Sequence, residues 1–156
     1  MALSDKLKTE FTELVAHYPE KRAGLIPALH RCQEEQGGWL SPQALEDLAE
    51  FFGLEPVEVF GVATFYPMFR LTPRGRHLVS VCHNISCTLR GAEDLLAHVC
   101  RVTGSPVGGT SPDGKFSVVR VECQGACANA PMFDLDGTYH EDLDRSRAEQ
   151  ILGSCQ

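Results

Sequence analysis

The sequence predicts an α+β chain in two parts: a helical bundle arm, then a mixed sheet domain. Three observations carry that expectation. Before about residue 70, apolar residues recur at helical spacing and no alternating strand pattern occurs. After it, two β-rich runs bracket a helical stretch, and a short hairpin and a last helix follow. Between the halves, "RLTPRGRH", residues 70–77, shifts the composition toward Pro, Gly and Arg. The boundary therefore falls between a helical part, 1–72, and a sheet part, 73–156.

In the first part, Leu7, Phe11, Leu14, Val15 and Tyr18 mark a helix with Ser4 as its N-cap. Leu25, Ile26, Leu29 and Cys32 mark a second, which the proline at position 27 is expected to open and "GGW" to close. In "SPQALEDLAEFFG" Ser41 is the N-cap and Pro42 the first helical residue. There Leu45, Leu48, Ala49 and Phe52 share a face, and Gly53 ends the helix. Pro56 opens a fourth, short helix through "VEVFGVATF".

In the second part, "RHLVSVC" reads as a strand and "TLRGAEDLLAHVCRV" as one helical stretch, with Leu89, Ala92, Leu95, Leu96 and Val99 on one side. "GSPVGGTSPDG" reads as a loop and "KFSVVRVEC" as a second strand. "MFDLDGTYH" reads as a hairpin turning at Asp136-Gly137, and "DRSRAEQILGS" as a helix capped by Asp144. The order β-α-β, then β-β-α, is compatible with a thioredoxin-like sheet with one parallel crossover. Such folds commonly carry a cis-proline where Pro131 stands. The base rate for X–Pro bonds favours trans there instead.

The bulk numbers exclude several classes. A net charge of -7 argues against a general nucleic-acid binder, which needs a basic face. No apolar run approaches the roughly 18 residues of a membrane span. "MALSDKLKTEF" has no signal-peptide core. The expectation is a cytoplasmic chain, or one peripheral on the inner face of the cell membrane through a complex. Seven cysteines, an odd number without an export signal, point to metal or redox chemistry rather than a disulfide framework.

The cysteines divide by setting. Cys82 and Cys87 form C-x4-C at the end of the first strand, and Cys123 and Cys127 form C-x3-C at the end of the second. In a parallel β-α-β unit both strand ends lie on one sheet edge, so these four thiols can converge. Cys32, Cys100 and Cys155 each follow an apolar residue at helical spacing and read as core. Three chemistries compete for the four thiols. A redox disulfide of thioredoxin type uses C-x-x-C, which neither pair has. Zinc takes four thiolates, but this spacing is at the edge of its usual range. A [2Fe–2S] cluster needs four thiolates on two irons, and "QGACANA" supplies the small residues that let backbone N–H groups approach its sulfurs. Spacing alone puts the cluster only modestly ahead of zinc.

At these residues the chain resembles a known family. "VCHNISCTLRGAEDLL" followed by "VECQGACANAP", with "FGVATFYPMF" and "GGWLS" in the helical half, is similar to the thioredoxin-like [2Fe–2S] component of the NADH dehydrogenase module of complex I, the E-type component of bacterial NADH-quinone oxidoreductase. The resemblance covers nearly the whole chain. It implies that Cys82, Cys87, Cys123 and Cys127 ligate one [2Fe–2S] cluster, with FMN and NADH on a larger flavoprotein partner subunit and other complex subunits beside it. It implies an electron-transfer subunit of an oxidoreductase, with no catalytic residue of its own and a helical arm that docks. Related subunits serve NAD-linked formate dehydrogenases and NAD-reducing hydrogenases. Gln124 departs from the family pattern, which usually has Leu.

Other features weigh less. "GTSPDGKF" nearly spells a phosphate-binding loop, but Phe116 replaces its Ser or Thr and a strand follows. The acidic "DLDGTYHEDLD" lacks the closing Glu of a calcium loop. His83 and Arg90 flank the first cysteine pair as candidate tuning residues or plain surface. Phe60, Phe65, Tyr66 and Phe69 are more than one short helix hides, which suggests a docking contribution.

Overall fold

The computed structural model describes residues 3–155. The chain divides into two compact units between Pro73 and Arg74. The first is all helical: α1 (Asp5–Val15), α2 (Leu25–Glu35), α3 (Pro42–Phe52) and α4 (Pro56–Phe65). Local chemistry sets their starts. Ser4 Oγ accepts from the Leu7 N–H at 3.2 Å and Ser41 Oγ from the Ala44 N–H at 3.3 Å. Glu58 reaches back to the Glu55 N–H at 3.1 Å, completing a capping box on α4.

Helix α2 begins earlier than the sequence suggests, at Leu25, running straight out of a 3-10 turn over Lys21–Gly24. Pro27 lies within its first turn, where the N–H groups have no intrahelical partner and a missing donor costs nothing. The core of this unit is Phe11, Leu29, Cys32, Leu40, Leu45, Leu48 and Val59, all fully buried. Helix α4 turns Val59 and Ala63 into that core, yet leaves Val57 74% and Phe65 76% exposed. It is therefore apolar on both faces.

The second unit holds β1 (His77–Cys82), α5 (Ile85–Leu89), α6 (Ala92–Thr103), β2 (Gly109–Thr110), β3 (Phe116–Val121), β4 (Phe133–Leu135), β5 (Thr138–His140) and α7 (Arg145–Gly153). The sheet order is β2-β3-β1-β4-β5. Strands β1 and β3 pair in parallel, ending with Cys82 opposite Val121, while β4 runs antiparallel to β1 and β5 to β4. Val79, Val81, Val118 and Phe133 of the sheet are buried with Leu95, Leu96 and Val99 of α6 and Ala148 and Leu152 of α7. The β4–β5 hairpin turns at Asp136 and Gly137, both at positive φ (52° and 88°), the backbone of a two-residue type I′ turn.

Three expectations are corrected. The stretch read as one helix is two, α5 and α6, separated at Arg90 and Gly91, where Gly91 has φ 91°. The loop before the second strand contains β2, which pairs antiparallel with β3 at Gly109–Val118 and Thr110–Ser117. It forms because the edge of β3 offers it backbone partners, a contact no local composition encodes. The Ala130–Pro131 peptide is cis rather than trans. The phosphate-loop lookalike is the turn joining β2 to β3: the Gly114 N–H donates to Ser111 O at 2.8 Å, and a strand follows. Gly75, just before β1, lies so close to β3 that a Cβ there would meet the Phe116 carbonyl carbon at 2.8 Å. Only glycine fits that approach.

Candidate metal centre

The parallel pairing of β1 and β3 brings their carboxyl ends side by side. Beyond β1 the chain turns through His83, whose N–H donates to Val121 O at 3.1 Å, into α5. Asn84 caps that helix, accepting from the Ile85 N–H at 2.9 Å. The helix turns Cys87 inward beside Cys82. Both thiols are 2% exposed, packed with Ala92, Ala130 and Met132. Beyond β3, the loop carrying Cys123 and Cys127 holds their sulfurs 3.4 Å apart as free, exposed thiols. The Gly125 N–H donates to Cys123 Sγ at 3.4 Å. Gly125 has φ 83°, a left-handed turn that costs another residue strain. This answers why small residues surround these thiols: the backbone itself has to curl against sulfur.

The pairs sit on neighbouring segments: Cys87 packs with Cys82, and α5 lies against the turn over Cys127–Asn129. The sequence reading missed Met132, whose carbonyl accepts from the Cys82 N–H at 3.3 Å. Tyr139 too was missed: its hydroxyl donates to Gln124 Oε1 at 3.1 Å. No local signal marks Tyr139, which reaches Gln124 through the β4–β5 hairpin. His83 faces Glu122 at 3.8 Å and Asn84 donates to Glu122 at 3.1 Å, tying the two strand ends together. Arg90 Nε donates to Ala130 O at 3.3 Å.

Proton affinities follow the surroundings. Burial, and next the adjacent Cys82, push the Cys87 thiol up to about 11. The Gly125 N–H draws Cys123 below the ordinary thiol range, and Cys127, hydrogen-bonded to Cys123, is raised. Cys123 thus carries the readier thiolate of the exposed pair, while Cys87 holds its proton more tightly. Cys32 is fully buried in the first unit, its thiol pushed up to about 11 by burial. Cys100 and Cys155 pack half-buried against the second core and are raised for the same reason.

Among the described residues, no three Cys, His, Asp or Glu side chains converge on one ion position. The thiols stand instead as two neighbouring pairs. A binuclear cluster takes two thiolates at each iron, and the Gly125 N–H already points at the Cys123 sulfur. Donor set and cradle fit a [2Fe–2S] group.

A thioredoxin-like sheet with paired thiols at the carboxyl ends of its parallel strands defines a small iron–sulfur domain. The family model for the thioredoxin-like [2Fe-2S] ferredoxin matches residues 11–156. This chain belongs to that family, as an α+β member with a helical arm ahead of the ferredoxin domain. It is 40% identical over 148 residues to an E-type component of the NADH-quinone oxidoreductase of Rhizobium meliloti, covering 95% of this chain and 88% of that one. It is 39% identical to NADH-quinone oxidoreductase subunit 2 of Thermus thermophilus, covering 100% of this chain and 87% of that one. Among solved structures, an NAD+-reducing [NiFe]-hydrogenase in the H2-reduced state superposes with a TM-score of 0.74 at 28% identity. That match covers 85% of this chain but only 22% of the hydrogenase chain.

Proposed function

We propose that this chain is the [2Fe–2S] electron-transfer subunit of an NADH-quinone oxidoreductase. Cys82 and Cys87 hold one iron; Cys123 and Cys127 hold the other. The observation that supports the assignment is the parallel pairing of β1 and β3, which delivers two thiol pairs to one edge of the sheet in a member of this family. The bound cluster supplies one-electron redox chemistry; the protein's part is placement and environment. Cys82 and Cys87 give it a dry side, because both are buried. Cys123 and Cys127 give it an outward side, where an electron partner can approach. The Gly125 N–H offsets negative charge at the Cys123 sulfur.

The partner in this reading is a larger subunit carrying FMN and binding NADH, with other subunits of the complex beside it. Residues 1–72 form the docking domain, supported by Val57, Phe65 and Met68, the last 42% exposed. Such an outward apolar set marks interaction surfaces. No helix of the described residues is long and apolar enough to cross a membrane. In this reading the chain reaches the inner face of the cell membrane through its complex. The equivalent component of an NAD-reducing hydrogenase is the second reading, favoured by the structural likeness to such an enzyme.

Visible absorbance of anaerobically prepared protein, before and after dithionite, with iron and acid-labile sulfide analysis, tests the assignment. The expected result is a coloured protein with two irons and two sulfides per chain that bleaches on reduction. A colourless protein holding zinc and no iron overturns it. The choice of complex is decided by which flavoprotein co-purifies.

A further inference from the structure

The four thiols arrive on segments far apart in sequence, so something must hold the pairs in register. The β1–β3 ladder does so at Cys82 and Val121, but it ends there. Beyond it, Cys87 rides on α5 and Cys127 on a separate loop that runs to Pro131. Arg90 joins them. Its own N–H closes α5, donating to Ser86 O and Cys87 O at 3.1 Å each. Its side-chain Nε crosses to Ala130 O at 3.3 Å, on the loop that follows Cys127. Its Nη2 lies 3.9 Å from Asp142 Oδ1. Asp142 is bound to the same loop, its N–H donating to Asn129 O at 2.7 Å, and Leu143 N–H donates to Pro131 O at 3.0 Å. One residue therefore links the C-x4-C arm, through its backbone, to the Cys127 loop and the segment that braces that loop, through its side chain.

We propose that Arg90 is a positioning residue for the [2Fe–2S] site: it clamps the two cysteine pairs together and brings a positive charge to the loop that follows Cys127. The inference rests on the four-thiolate assignment above. Its two halves have separate physical causes. The clamp is the Nε–Ala130 bond, a charge-assisted hydrogen bond to a buried residue's carbonyl. The Asp142 pair adds little by itself, since both side chains are mostly exposed (65% and 72%). The charge acts on the redox equilibrium. The cluster with four thiolates is a dianion when oxidised and gains one more negative charge on reduction. A nearby cation stabilises the reduced form more, which raises the potential.

The test compares Arg90→Lys, Arg90→Gln and Arg90→Met with the parent protein, and Arg147→Gln serves as a charge control on α7. The readouts are the midpoint potential from an EPR-monitored titration and the rate of chelator-driven cluster loss followed by visible absorbance. Arg90→Met loses clamp and charge: the potential falls and release speeds up on the order of tenfold, as for other outer-shell partners. Arg90→Lys keeps the charge without the fork, so the potential stays near that of the parent while release accelerates. Arg90→Gln drops the charge, so the potential falls. Parent-like potential and release rate in all three variants, or equal potential shifts in Arg147→Gln and Arg90→Gln, overturn the inference. A parent protein with no EPR signal on reduction overturns the cluster assignment instead, so the two failures are told apart.

Discussion

Replacing Cys32 or Cys127 by Ser makes the same atomic change in two settings and should produce opposite phenotypes. Cys32 has no exposed surface and packs among Phe11, Leu29 and Leu45. A hydroxyl there leaves water for an apolar site, which costs about 1–3 kcal/mol in protein interiors. The amide of Gln36 lies 3.8 Å from the sulfur and offers a partner only if it moves closer, so most of that cost should remain. For a unit of this size, Met1–Pro73, each kcal/mol lowers the melting temperature by about 4–8 °C. Cys127 is exposed and has no core term to lose. The hydroxyl there is simply a poorer iron ligand than a thiolate. Cys32→Ser should therefore melt earlier by circular dichroism, with the same visible absorbance and iron per folded chain. Cys127→Ser should melt normally as apoprotein but lose or shift its absorbance and iron content. Equal bleaching in both variants, or parent-like iron in Cys127→Ser, would refute the division between ligand and core cysteines.

Gly75→Ala should destabilise by about 1–3 kcal/mol, because its Cβ meets β3 backbone at 2.8 Å. Gly61→Ala, with open space around it in α4, should stabilise by up to about 1 kcal/mol; urea unfolding reads both, and the same sign in both would sink the packing argument. Burial opposes ionisation of Asp136, but the Leu78 N–H, His77 and Arg74 outweigh it and hold the carboxyl below the usual carboxylate range. Its contribution is thus present above the ordinary carboxylate pKa and lost as pH falls through the lowered one. Asp136→Asn should be less stable than the parent at pH 7, and the gap should close in acid below about pH 4; a gap that widens in acid reverses the sign. Phe65→Asp, at a side chain 76% exposed, should leave folding within about 0.5 kcal/mol and leave the cluster spectrum intact, while weakening co-purification with the flavoprotein subunit. Unchanged recovery of that partner would remove α4 from the docking surface.

The tuning residues show how far the sequence carried the site. His83 and Arg90 were visible as neighbours of the first cysteine pair, but not their partners. His83 meets Glu122, and Arg90 reaches Ala130. Gln124 stood out as a departure from the family pattern. That its oxygen is held by Tyr139 required the hairpin to fold back over the loop.

What the sequence determined by itself is whatever depends on near neighbours along the chain. Ser4, Ser41 and Asp144 cap their helices, each accepting an N–H within three residues. Asp136-Gly137 turns the hairpin, and the apolar periodicities of α1, α3 and α6 become buried faces. Such features close within one turn of backbone, so residue type and spacing suffice. The tertiary structure alone decided the rest. It broke the long helical stretch at Arg90 and Gly91, recruited Gly109–Thr110 as a strand on β3, and set the Ala130–Pro131 bond cis. It also buried Cys82 and Cys87 while exposing Cys123 and Cys127. Two partners are distant in sequence, Ala130 for Arg90 and Met132 for Cys82, while β2 pairs within a hairpin with Val118 and Ser117. Local propensity has no knowledge of a partner that only chain closure delivers.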